Sequence, residues 1–185
     1  KKVLKIGGGR NAFVKVLPNS TEKWVADFTI DKSVESILSG SFVGDFNNIE
    51  ITEKGFDFIC MFHVLEHFND PSMVLKKIKG LLKKNGSLFI EVPNFGYECQ
   101  KIPFYTLFHM HISLFSEKSL TTMMSRHGFN CVHYYKKNDI LLAEFNLGIK
   151  KKTENHKNHS LNLIDVLDSN IEKIYKELKE IIKTF

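Results

Sequence analysis

Cysteine is scarce in this chain of 185 residues. The three thiols, Cys60, Cys99 and Cys131, form no Cys-x-x-Cys pair and no even-numbered framework. Such usage argues against a disulfide-stapled secreted fold and points to a reducing cytoplasm. Long hydrophobic runs are missing too. No apolar stretch approaches the roughly 20 residues that cross a bilayer, and no secretory signal is visible, so a membrane is not expected as a partner. No internal repeat is evident. The chain enters a strand pattern at its second residue without an initiator methionine, which leaves room for residues missing at the N-terminus. Concentrated positive charge is also lacking. The net charge of +5 comes from lysines scattered over helix faces, and only Lys150, Lys151 and Lys152 cluster, without interleaved aromatic residues. Solvated faces are the better reading than a nucleic-acid surface.

Apolar side chains are plentiful: 43% of residues are hydrophobic and sixteen are Phe, enough for one domain with a proper core. Strand and helix patterns alternate. "KVLKI" (2–6), "KWVADFTI" (23–30), "SFVGDF" (41–46), "FDFICMF" (56–62) and "SLFIEVP" (87–93) read as strands. "DKSVESILSG" (31–40) reads as a short helix. A longer helix follows Pro71, with Met73, Val74, Ile78, Leu81 and Leu82 at helical spacing and Asn85-Gly86 as its stop. "SEKSLTTMMSRHGF" (116–129) is a serine-capped helix, and "FNCVHYY" and "DILLAEFNL" close the series as strands, with Trp24 an ordinary strand residue. Strands separated by helices of this length predict a doubly wound α/β sheet, mostly parallel, over residues 1–148. Residues 149–160 read as a polar linker. Beyond them Ile164, Leu167, Ile171, Ile174, Leu178, Ile181 and Phe185 recur in alternating steps of three and four. That stripe marks an amphipathic helix over 161–185, which either packs on its own domain or pairs with a second copy to form a homodimer.

Ligands of such sheets bind at the carboxyl ends of the strands. Gly7 and Gly9 lie at the turn after the first strand, where backbone can approach a ligand closely. A dinucleotide fingerprint is matched only with Ala12 at its last position, so the glycines alone do not separate a nicotinamide site from other cofactor sites. Asp27, about twenty residues on, is placed to accept hydrogen bonds from ribose hydroxyls, and Asp31 is the alternative if the strand runs longer. The blander reading is a cluster of turn glycines and a helix-capping Asp. In "FDFICMFHVLEHFNDP" (56–71) an apolar run ends abruptly in His63, Glu66 and His67. Read locally, that pattern fits a metal site, an acid/base site or a polar cap on a strand.

Strung together, "VLKIGGGRN", "VADFTID", "FVGDF", "FDFICMFHVLEHFNDP", "LLKKNGSLFIEVPN" and "HISLFSEKSLTTMMSRHGF" resemble the class I S-adenosylmethionine-dependent methyltransferases. The nearest group is the small-molecule branch with the "HVLEH" box, and the match covers about residues 2–145. The resemblance implies a Rossmann-like sheet of seven strands with an antiparallel last strand. It implies S-adenosylmethionine as cofactor, with Gly7 and Gly9 against its methionine part and Asp27 on its ribose. Asp45 would take the adenine amino group, with Phe46 packing on the ring. Phe62 and His63 would lie beside the sulfonium and the acceptor, and Asn94 in a loop on the substrate side. Lys5 departs from the pattern where a carboxylate is usual, and Asn11 where a third glycine is usual.

Methyl transfer to a hydroxyl needs alignment and a base. His63, as a neutral imidazole, or His111 is expected to be that catalytic base, and Glu66 and His67 are expected to position the loop, with no metal. A similar box in small-RNA 2′-O-methyltransferases binds a metal together with a later histidine, which would make His63, Glu66, His67 and His111 a ligand set here. His109, His127, His133, His156 and His159 have no such context and read as surface or helix-end residues. The expected function is a cytoplasmic methyltransferase acting on a small molecule, a hydroxyl of a sugar or similar metabolite. The rivals are a non-catalytic cofactor-binding scaffold and a metal-dependent RNA methyltransferase.

Overall fold

The computed structural model describes residues 1–7, 12–96, 111–137 and 140–148. They build one sheet of seven strands: β1 (Lys2–Ile6), β2 (Glu22–Asp27), β3 (Gly40–Val43), β4 (Phe56–Phe62), β5 (Leu82–Pro93), β6 (Phe129–Lys137) and β7 (Ile140–Leu147). Their spatial order is β3-β2-β1-β4-β5-β7-β6. The first five run parallel to one another, and β7 lies antiparallel to both β5 and β6. The antiparallel last strand is therefore as the sequence leads one to expect.

The central strands show why the order is stable. A parallel strand covered on both faces must be apolar on both, and Phe56, Ile59, Cys60 and Met61 of β4 are fully buried. In β1, Val3, Leu4 and Ile6 are buried, and so is Lys5. Helix α3 (Pro71–Leu81) starts cleanly because the Asp70 side chain accepts from Ser72 N and Met73 N and proline occupies the first turn. Its buried stripe of Val74, Leu75, Ile78 and Leu81 joins the main core. Helix α4 (Glu117–Arg126) carries the Ser116 capping box and buries Leu120 and Met124. Trp24 is indeed a strand residue, stacked on Phe42 at 5.6 Å.

Four boundaries differ from the sequence reading. β2 stops at Asp27, not residue 30, and β3 occupies Gly40–Val43, not 41–46. Helix α2 is only Lys32–Glu35, preceded by the short helix α1 (Ala12–Val16). Asn85-Gly86 does not stop α3; the chain passes from Leu81 straight into β5. Gly86 is a strand residue, needed because a Cβ there would stand 2.8 Å from Phe56 O.

Chain direction reverses its winding at the β1/β4 boundary: β2 and β3 extend to one side of β1, and β4 and β5 to the other. Ligands of doubly wound sheets bind at such a switch, in the crevice outside the carboxyl ends of the strands, here β1 and β4. Among the described residues, no helix is long and apolar enough to cross a membrane. The chain divides into units Lys1–Ile149 and Lys150–Phe185. The expected linker, amphipathic helix and helix-mediated dimer lie outside the described residues.

Candidate active site

At the end of β1, Gly7 has φ +58°, a left-handed conformation that glycine adopts without a Cβ penalty. Its N–H donates to Ala26 O at 2.8 Å, fixing the turn to β2. A Cβ at Gly7 would fall 2.8 and 2.9 Å from the two methyls of Val64, so the turn after β1 lies directly against the loop after β4. Gly9 and Asn11 lie outside the described residues. Lys5 points its ammonium at this turn, donating to Gly7 O and, at 3.4 Å, to Ile6 O. Burial lowers its pKa to about 8, against the attraction of Cys60, Asp27 and Glu91.

The end of β2 puts the two acids, Asp27 and Asp31, in different settings. Because β2 stops at Asp27, that carboxylate sits at the strand tip, where its Oδ1 accepts from Phe28 N at 2.7 Å. Asp31 instead caps α2, accepting from Ser33 N at 2.8 Å. Asp45 is drawn into its own turn: Oδ1 accepts from Asn47 N and Oδ2 from the Asn48 amide, at 3.0 and 2.9 Å. Phe46 is buried, covered by Phe68 at 6.3 Å and by the Lys77 ammonium 4.7 Å above its ring. The open apolar surface beside Asp27 and Asp45 is formed by Phe28, 69% exposed, and Val43, 60% exposed. The sequence reading passed over both, having continued β2 and β3 past Asp27 and Val43.

Beyond β4 the polar groups converge. Phe62 ends the strand with its ring edge-to-face on Phe13 at 5.1 Å. His63 follows with φ 52°, a left-handed backbone that costs a non-glycine residue on the order of 1–2 kcal/mol. Strain of this kind persists where surrounding contacts enforce it, and here Glu91 does so twice. The Glu91 carbonyl accepts from His63 N at 2.9 Å, and its carboxylate lies 3.0 Å from His63 Nε2. Glu66 Oε1 stands 3.6 Å from the other ring nitrogen. Burial disfavours the imidazolium, but the two flanking carboxylates outweigh it and raise the His63 pKa to about 10. Those two acids favour the imidazolium, against the neutral imidazole expected from the sequence. Glu91 was also passed over; its signal was one carboxylate inside the apolar run "SLFIEVP".

Leu65–His67 forms a single 3-10 turn that buries Glu66. The Glu66 carbonyl accepts from both Ile112 N and Ser113 N at 2.9 Å, bringing His111 alongside. His67 and His111 rings meet edge-to-face at 5.0 Å. Nε2 of each lies 4.0 Å from Glu66 Oε1. Asn94, expected near the substrate loop, is buried and bridges to Phe115 just ahead of α4. His127 is a helix-end residue beside Ser72, and His133 lies 4.0 Å from Glu144.

The crevice thus has a glycine turn and Asp27 on one side and an imidazole-carboxylate cluster on the other. A family model described as a methyltransferase domain matches residues 1–134. The C-methyltransferase NovU of Streptomyces niveus is 30% identical over 124 residues, which cover 66% of this chain and 29% of that protein. The chain therefore spans under a third of that relative's length. Among solved structures, the mitomycin 7-O-methyltransferase MmcR superposes with a TM-score of 0.63 at 15% identity, over 80% of this chain and 49% of that one. The Burkholderia thailandensis 1,6-didemethyltoxoflavin-N1-methyltransferase, solved with S-adenosylhomocysteine, gives 0.60 at 16%, over 78% and 69%. Both structural likenesses speak for the fold, while the family match spans most of the sequence. The chain belongs to the methyltransferase domain family.

Proposed function

We propose that the chain is an S-adenosylmethionine-dependent methyltransferase domain of the small-molecule branch with the "HVLEH" box, acting on a hydroxyl of a sugar or similar metabolite. The observation that carries this reading is the meeting of the Gly7 turn with the His63–His67 segment across the β1/β4 crevice. In it the backbone at Gly7, with Gly9 beyond, admits the methionine part of the cofactor. Asp27 accepts from the ribose hydroxyls. Asp45 serves the adenine amino group, the buried Phe46 supports that turn from within, and Phe62 supplies an apolar wall near the sulfonium. The bound cofactor brings an activated methyl group; alignment of the acceptor is the protein's main contribution.

His63 and His111 divide the acceptor side. Both ring nitrogens of His63 face carboxylates, which suits it to hold the loop and present positive charge. His111, tied to the 3-10 turn through its neighbours' hydrogen bonds to Glu66 O, takes the acceptor's proton as the C–S bond breaks and the C–O bond forms. Relatives named for carbon, oxygen and nitrogen acceptors share the fold, so the acceptor atom rests on this local chemistry and not on the architecture.

A second reading has one observation in its favour. Lys5 places a buried ammonium at the turn where the family pattern has a carboxylate, as a non-catalytic scaffold could tolerate. Incubating the chain with S-adenosylmethionine and a panel of sugar and nucleotide-sugar acceptors, and following S-adenosylhomocysteine formation, separates the two. Turnover with at least one hydroxyl acceptor is the expected result. Binding of the cofactor with no turnover across the panel would replace the enzyme by the scaffold.

A further inference from the structure

The turn that carries Asp45 is held in place by a lysine from another element. Residues 44–49 fold back tightly. Gly44 has φ +138°, and a Cβ there would collide with the Ile49 side chain. The Asp45 carbonyl accepts from Asn48 N and Ile49 N at 2.9 and 2.8 Å, and the turn's first residue is tied to β2 because Gly44 N donates to Asp27 O at 2.9 Å. The far end of the turn is closed by Lys77, which reaches over from α3 and donates to both Phe46 O and Ile49 O. Basic side chains cap the last carbonyls of helices in the same way. The ammonium also stands 4.7 Å from the Phe46 ring centre, within cation–π range. Burial holds the Lys77 pKa below the usual lysine range, against the attraction of Asp45. A partly buried ammonium needs partners to replace its water, and this turn supplies them. Lys77 thus differs from its exposed neighbour Lys76, which has only a solvated helix face.

We propose that Lys77 is a positioning residue for base selection: by clamping the 44–49 turn it aims Asp45 at the adenine amino group, so that a base with a keto oxygen there is rejected. Its role rests on the proposed assignment of Asp45 to that amino group. Two contacts orient the carboxylate within the turn, Oδ1 accepting from Asn47 N and Oδ2 from the Asn48 amide. Each oxygen keeps acceptor capacity for a donor from outside. Those contacts fix the carboxylate relative to the turn, and Lys77 fixes the turn relative to α3. A hydrogen bond weakens steeply with poor distance and angle. Loosening the turn therefore costs the bond to an amino group and costs nothing to a base that never made it. Lys77 acts through Asp45 and carries no part of the chemistry itself.

Calorimetric titration of the full chain with S-adenosylhomocysteine and with its inosine counterpart, in which a keto oxygen replaces the amino group, reads the aim of Asp45. The parent should prefer the adenine ligand. Lys77→Met keeps an apolar stem over Phe46 and removes the donor. It should weaken S-adenosylhomocysteine by about tenfold, the worth of roughly one net hydrogen bond, and leave the inosine ligand unchanged. Lys77→Arg should restore the preference, and Lys76→Met should bind as the parent does. If Lys77→Met fails to fold, Lys77→Gln, neutral and shorter, carries the same expectation. Asp45→Ala tests the underlying assignment separately and should abolish the preference alone. Preference lost in Asp45→Ala but kept in Lys77→Met would overturn the role of Lys77 and leave the adenine site standing. Equal losses for both ligands in Lys77→Met, unrescued by arginine, would reduce the lysine to a fold contact and overturn it too. A preference that survives in Asp45→Ala would remove the adenine assignment and the role of Lys77 with it.

Discussion

Replacing His111 with alanine is expected to slow methyl transfer by about 10²–10⁴-fold, the usual range for losing proton abstraction, with affinity for S-adenosylhomocysteine within about twofold of the parent. The split follows from position. His111 sits against the 3-10 turn after β4, next to His67 and Glu66, whereas Gly7 and Asp27 end β1 and β2. His63→Ala should behave differently. Its ring lies between Glu91 at 3.0 Å and Glu66 at 3.6 Å, and removing it leaves a buried carboxylate without its cation. Uncompensated buried charge is the expensive outcome. The histidine is 44% exposed, so the loss should be about 1–3 kcal/mol of stability, read in urea denaturation. Full activity in His111→Ala, or unchanged stability in His63→Ala, would contradict these roles.

Lys5→Met should stabilise the fold by about 2 kcal/mol at pH 7. Lys5 is 2% exposed, and burial depresses its pKa from 10.5 to about 8. A depression of that size corresponds to a cost of roughly 3 kcal/mol for keeping the ammonium charged inside the protein. About 1 kcal/mol of that is recovered by the hydrogen bonds to the Gly7 and Ile6 carbonyls, which methionine gives up. The sign with pH follows from proton counting. Below about pH 8 both folded and unfolded chains hold this proton, and the cost is fully present. Between pH 8 and 10.5 the unfolded chain binds more protons, so the stability contributed by Lys5 rises with pH. From pH 7 to pH 9 the parent should gain about 1 kcal/mol relative to the variant. The comparison with the variant matters because Cys60 runs the other way. Burial pushes its thiol up to about 12, so its contribution falls above about pH 9. Urea denaturation at the two pH values checks this; a destabilised variant and a difference independent of pH would contradict it.

How much of this was legible in one dimension depended on whether the signal was local. The bounds of β1 and β4 follow from apolar runs that end in Gly7 and His63, and the structure reproduces both. The start of α3 at Pro71 was equally local. The misread end of α3 has a physical cause. Asn85-Gly86 is a turn signal by composition, but residues 82–86 are recruited into β5, where Leu82 pairs with Phe56 and Gly86 passes close to Phe56 O. The same limit hid Glu91. Only the register of β4 on β5, which sets Phe62 opposite Glu91, brings that carboxylate to His63. The resemblance had already grouped Glu66 with His111, but the backbone clamp from Ile112 and Ser113 that joins them is announced by no spacing in the sequence.

The crevice between β1 and β4 as a cofactor site is tested most directly by calorimetric titration of S-adenosylhomocysteine into the chain and into its Asp27→Ala variant, with a nicotinamide dinucleotide as competitor. One saturable site is predicted, weakened in the variant by about 1–3 kcal/mol, the cost of losing a charged hydrogen-bond acceptor, and untouched by the dinucleotide. Equal affinity in the two proteins, or tighter binding of the dinucleotide than of S-adenosylhomocysteine, would contradict it.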